Sequence, residues 1–157
     1  MDVSVEEAMS KLDEDMKLFF KQVKKGMIEK QQEVAIQAAE RLVYYSPIWT
    51  GAYVRSMRCG IGVVDSSHEP VGPGTLPYPP RLSEMEAETI RMEMFSQLKS
   101  EIELNESGKI IYLSNNIPYA TAVEFVGWYL TPDGKNFVQA AHHVFTTTTR
   151  DLEYMLK

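Results

Sequence analysis

Residue types that do chemistry are scarce in this chain. One cysteine, Cys59, and three histidines stand among 157 residues. A lone cysteine excludes a disulfide within the chain and gives no sign of an oxidising compartment. His142 and His143 are adjacent, so on a helix they point about 100° apart and do not converge on one metal ion. His68 lies in a stretch of prolines and glycines, away from both. Neither G-x-S-x-G nor G-x-x-x-x-G-K occurs, the spacings that would mark a nucleophile elbow or a phosphate-cradling loop. No apolar run approaches the ~20 residues of a membrane-spanning helix. The first residues, MDVSVEEAMSKLDEDM, are acidic and lack the apolar core of a secretory signal. Positive charge is also in deficit: 16 Lys and Arg against 22 Asp and Glu give −6, a balance that duplex DNA and anionic membranes repel. These absences predict a cytoplasmic protein with no catalytic residues, no metal and no cofactor.

What is present is the makings of one α+β domain over residues 1–157. Hydrophobic residues are 44% of the chain and charged residues 24%, enough to build a core and too apolar for disorder. Ser4 and Glu7 form a capping box. Apolar residues then recur in steps of three and four at Val5, Ala8, Met9, Leu12, Met16, Phe19, Phe20 and Val23, and resume at Met27, Val34, Ala35, Ala38, Leu42 and Tyr45. Pro47 stops the pattern, since the residue before a proline disfavours helix. A continuous helix from Val5 to Tyr45 would be about 60 Å long, roughly twice the width of a small domain. Either it breaks near Gly26, or residues 1–30 project. A projecting half bearing Leu12, Met16, Phe19 and Phe20 needs a partner surface.

Further along, Met57, Cys59, Ile61 and Val63 alternate with Ser56, Arg58, Gly60 and Gly62, which is strand periodicity. With its glycines on one face, this strand is either closely approached or curved there. Residues 65–82 hold five prolines and two glycines and read as a long loop. Ser83 and Glu86 open a second helix with Met85, Ile90, Met94 and Leu98 on its stripe, to about residue 99. SEIEL and KIIYLSN flank Asn105-Glu106-Ser107-Gly108 and read as a β-hairpin. A short helix is expected from Tyr119 to Phe125, and a last one from an Asn136 cap to about Tyr154. The result is a long N-terminal helix, a small, mostly antiparallel sheet with a hairpin, and a C-terminal helix.

The remaining candidates for chemistry have simpler readings. Cys59 sits on the inward phase of its strand beside Met57 and Ile61, as a core cysteine does. Seven glutamates between Glu84 and Glu106 against Arg91 and Lys99 give that stretch −5, the pattern of a solvated face. Glu124 is the most interesting carboxylate. With no second catalytic group near it in sequence, it reads as a structural partner for the segment 46–56, Arg55 or the backbone there, rather than as a general base.

Three blocks carry a resemblance. They are Ser46-Pro47-Ile48-Trp49-Thr50-Gly51 with Arg55-Ser56-Met57; Ile111-Tyr112-Leu113-Ser114-Asn115-Asn116-Ile117-Pro118-Tyr119-Ala120 with Val123-Glu124-Phe125; and Pro132-Asp133-Gly134-Lys135-Asn136-Phe137-Val138. In order and spacing, over about residues 35–156, they resemble the tail-completion, or head–tail joining, proteins of tailed bacteriophages. The family's acid before Thr-Gly is replaced here by Ile48-Trp49, and Val126 stands before Gly127 where the family has its glycine. On this resemblance Pro47, Thr50, Gly51, Ser56, Asn115, Asn116, Pro118, Tyr119, Ala120 and Glu124 are the motif residues. It implies a virion structural protein assembled in the bacterial cytoplasm. Such a protein forms a hexameric ring around the DNA conduit and binds the tail-tube or tail-terminator protein and the neck connector. The competing reading is a cytoplasmic adaptor that binds a peptide through a sheet edge or the Pro-rich loop.

Overall fold

The computed structural model describes residues 4–48, 50–70, 82–126, 128–129, 138–139 and 141–157. Helix α1 runs unbroken from Val5 to Tyr45. Its capping box is formed, with Glu7 N–H donating to Ser4 Oγ and Ser4 N–H to Glu7 Oε2, each at 3.2 Å. Gly26 does not interrupt it. Nothing approaches within 4 Å of where a Cβ would stand, so the glycine costs helix propensity without forcing a bend. The helix ends as expected: Ser46 is extended, as a residue before proline must be, and its hydroxyl donates back to Leu42 C=O at 2.6 Å.

The two halves of α1 have different surroundings. Described residues 4–27 are all exposed, and burial begins at Ile28. Beyond that point Gln31 donates to Lys109 C=O at 3.0 Å, and Gln32 to the carbonyls of Glu103 and Asn105 at 3.2 and 3.3 Å. Ala39, Leu42 and Val43 enter the core. The gap that Gln31 and Gln32 leave in the apolar stripe is therefore where the helix is stitched to the body. The 23 residues before Ile28 form an arm about 35 Å long.

Helix α2 is the single turn Ala52–Arg55, and β1 spans Met57–Ile61. Helix α3 covers Glu84–Glu103 behind a complete Ser83/Glu86 capping box, and buries Ile90, Met94, Leu98 and Ile102 at four-residue steps. Strand β2, Ile111–Asn115, pairs antiparallel with β1, Met57 opposite Asn115 and Ile61 opposite Ile111. A π-helical turn occupies Ala122–Val126. Two short antiparallel strands, β3 (Trp128–Tyr129) and β4 (Val138–Gln139), precede α4, Val144–Met155. The core lies where the second half of α1, α3 and β1 meet Tyr53, Val54, Ile117, Val123 and Val144.

The α+β class and its principal helices are as the sequence predicts. Three local expectations are overturned. The SEIEL segment is no strand: α3 continues through it to Glu103, because Ile102 extends the stripe of Ile90, Met94 and Leu98 into the core. β2 therefore pairs across the molecule with β1, not with its sequence neighbour, and the consecutive antiparallel strands are β3 and β4. The last helix begins at Val144, since Val138 and Gln139 are in β4. The helix expected over Tyr119–Phe125 is largely the π turn, which widens the backbone around Glu124. The Asn136 cap, Pro132–Gly134 and residues 71–81 of the Pro-rich loop lie outside the described residues.

Candidate functional site

The first two motif blocks meet on one side of the body. Gly51 stands at φ +82°, and a Cβ there would lie 2.9 Å from Ile90 Cδ1. Glycine is thus favoured by the left-handed backbone, while the nearby Ile90 methyl, the end of a flexible side chain, can give way to a small side chain. Beside it Thr50 Oγ1 accepts from Ala52 N–H at 3.4 Å, closing the turn after Pro47. The turn positions α2, whose Tyr53 carbonyl accepts from Asn115 Nδ2 at 2.8 Å. The same Asn115 uses Oδ1 to accept from Ile117 N–H at 3.2 Å. One side chain therefore ties block one to block two while turning the chain toward Pro118. Asn116 donates to Asp65 C=O at 3.1 Å. Neither asparagine adopts the left-handed backbone that its type tolerates; the side-chain bonds alone make the turn.

Ser56 is fully buried. Its hydroxyl donates to Ala52 C=O at 2.8 Å and accepts from Glu69 N–H at 3.1 Å, holding the start of the Pro-rich loop against α2. Tyr119 and Ala120 pack half-buried against the core. Arg55 faces α3, 3.9 Å from Glu93.

Glu124 is structural in a different way from the one expected. Only 6% exposed, it bonds to the start of α4, while Arg55 pairs with Glu93. Its carboxylate accepts from Phe145 N–H at 3.0 Å and from Thr146 N–H and Oγ1 at 2.9 and 2.7 Å. The reason lies in α4 itself. His143, its N-cap residue, is left-handed at φ +49° and gives no side-chain cap. The free N–H groups of the first turn therefore take a carboxylate from a distant element, where the helix dipole also favours it. Burial pushes the Glu124 pKa up, but the bonds from Thr146, Phe145 and Val144 outweigh it and hold the group below its ordinary value. The carboxylate thus caps the first turn of α4.

Around Glu124 opens a groove of about 640 Å³, lined among others by Tyr53, Asn115, Ala120, Phe145 and Arg150. Among the described residues the Tyr53 hydroxyl is buried without a hydrogen-bond partner. Burial and the neighbouring Glu124 charge raise its pKa. Cys59 is half-buried, its thiol pushed up to about 11 by burial and then by Glu101. His142 is lowered by burial and by His143. Among the described residues no group of three or more His, Cys, Asp or Glu is placed to hold a metal ion, and no helix is long and apolar enough to cross a membrane.

The other candidate surface is the arm, separate from this joint. Leu12, Met16, Phe19 and Phe20 are 60, 49, 59 and 60% exposed. Phe19 and Phe20 touch edge to face, 5.8 Å apart. Sequence reasoning missed Asn105, read as a hairpin residue. It is 1% exposed and clamps the α3–β2 loop, donating to Lys109 C=O at 2.7 Å and to Gln31 Oε1 at 3.3 Å. It also missed Thr146 as Glu124's partner. The available signal was the His-His-Val-Phe-Thr stretch, a helix start with no local capping residue. No protein-family model, curated protein or solved structure matches the chain.

Proposed function

We propose that the chain is a structural subunit of a tailed-phage virion, a neck or tail-completion protein that works by assembly and not by catalysis. The observation that carries this reading is the arm: a helix of about 35 Å beyond the body, with an apolar stripe in water. A surface of that kind is a liability in a free monomer and an interface in an assembly. The motif blocks supply the rest. Their residues lock a turn, a strand pair and a helix cap into one rigid joint, which suits a subunit that carries contacts rather than turning over substrate. In this reading the body contributes to a hexameric ring, and the ring binds the tail-tube or tail-terminator protein on one face and the neck connector on the other. The acidic balance of −6 lets DNA slide through without sticking. Gold-labelled antibody against the chain, applied to purified tailed particles from cells carrying its gene, tests the idea. Label at the head–tail junction is expected; purified particles without the chain would refute it.

A further inference from the structure

The two sides of the junction between arm and body are built differently. On the body side the loop between α3 and β2 is wound around Asn105. This side chain is 1% exposed, accepts from Lys109 N–H at 3.1 Å and donates to Lys109 C=O at 2.7 Å. The loop sits on α1 through Gln31 and Gln32, which donate to the carbonyls of Lys109, Glu103 and Asn105. Gly108, left-handed at φ +71°, comes so close to α1 that a Cβ on it would lie 3.0 Å from Ile28 Cγ1. Helix α1 is therefore gripped from Ile28 to Gln32. On the arm side there is no such hold. Described residues 4–27 are exposed, and among the described residues no hydrogen bond or ion pair joins them to the body. Gly26 stands two residues before the grip. It is the only glycine or proline between Val5 and Tyr45, and nothing lies within 4 Å of where its Cβ would be.

We propose that Gly26 is a hinge on which the arm, still helical, swings relative to the body. Glycine is the poorest helix former after proline, because it has the most backbone freedom to lose. Most helices in proteins draw their stability from tertiary packing, and at Gly26 there is none to offset the weakness. The sequence on the arm side loosens the same region further. Lys21 stands four residues after Lys17 and four before Lys25, spacings at which like charges oppose a helix. Among the described residues one ion pair spans the glycine, Lys25 with Glu29 at 3.7 Å. Both of its side chains are more than 60% exposed, so water screens it. Helix α1 is thus weak at one residue and firmly held from two residues later. A small residue beside a fixed anchor is where a bend is absorbed. The straight helix is the unbent position of this hinge. Such a hinge leaves the arm's direction to be set on docking, with the ordering cost met at that moment, while the body keeps its own place. The inference concerns motion in the free chain and does not rest on the virion reading.

The test uses the full chain in a Cys59→Ser background, with pairs of nitroxide labels on cysteines introduced at exposed positions. An excess of unlabelled chain ensures that only distances within one copy are read. Glu14→Cys with Ser100→Cys spans arm and body. Ser10→Cys with Gln22→Cys lies within the arm, and Glu33→Cys with Ser100→Cys lies on the gripped side. Dipolar electron spin resonance should give a broad distance distribution for the first pair and narrow ones for the other two. Gly26→Ala should narrow the first, cutting the weight outside its main peak about fivefold, and leave the other two unchanged. A first distribution already as narrow as the third overturns the inference. So does one that stays broad in Gly26→Ala, which puts the motion at another residue. A broad distribution within the arm also overturns it, since the arm would then be a frayed segment and not a swinging helix.

Discussion

Replacing Glu124 by alanine removes the side chain that caps α4 among the described residues. The carboxylate is 6% exposed and accepts two backbone N–H groups and one hydroxyl, all at 3.0 Å or less. Hydrogen bonds to a charged acceptor each contribute about 1.5–3 kcal/mol, and a buried donor left unpaired costs its desolvation. The sum is an upper bound, because water can enter the groove and reach the freed groups. Loss of a helix cap alone costs about 1 kcal/mol. The expected destabilisation for Glu124→Ala is therefore about 3 kcal/mol, and for Glu124→Gln about half that, since the amide keeps one acceptor oxygen. The sign with pH follows from the lowered pKa. The folded state holds the carboxylate ionised more firmly than the unfolded chain does, so this stabilisation is complete above the ordinary glutamate pKa of about 4.3. It is lost as pH falls below that through the depressed folded value. Urea unfolding of wild type and Glu124→Gln at neutral and acidic pH measures both effects. The gap between them should close on acidification. A Glu124→Ala variant within about 0.5 kcal/mol of wild type at neutral pH, or a gap that widens in acid, would refute the capping role.

Three other outcomes follow from single residues. Gly51→Ala should cost about 1–2 kcal/mol by denaturant unfolding, because alanine is strained in the left-handed backbone at φ +82°; a variant as stable as wild type would contradict that conformation. Tyr53→Phe should be neutral or stabilising by up to about 1 kcal/mol, because it deletes a buried hydroxyl that bonds to nothing among the described residues; a clear loss of stability would show that the hydroxyl has a partner. With its thiol near 11, Cys59 should react with a disulfide reagent at neutral pH far more slowly in the native chain than in urea, and equal rates would contradict its environment.

Local chemistry made much of the fold legible. Both capping boxes join residues three apart, and the proline stop of α1 acts on the residue next to it, so sequence alone specifies them. The four-residue steps of Ile90, Met94 and Leu98 marked α3, but a β-rich flank and an Asn-Glu-Ser-Gly turn read as strand and hairpin where Ile102 in fact extends the helix. That choice belongs to the core, which gains more from one further buried isoleucine than the local turn propensity opposes. Glu124 follows the same division. Its lack of a catalytic neighbour in sequence pointed to a structural carboxylate, but its partner is 21 residues away at a helix start that only the packing of α4 brings within reach. The arm reverses the balance. Its length and apolar spacing are written in residues 4–30. Tertiary structure decided only that the body's reach ends at Ile28 and that Gly26 makes no break. Periodicity is a property of a chain segment and survives without a partner; which side chain ends beside which is set by long-range packing, and no spacing encodes it.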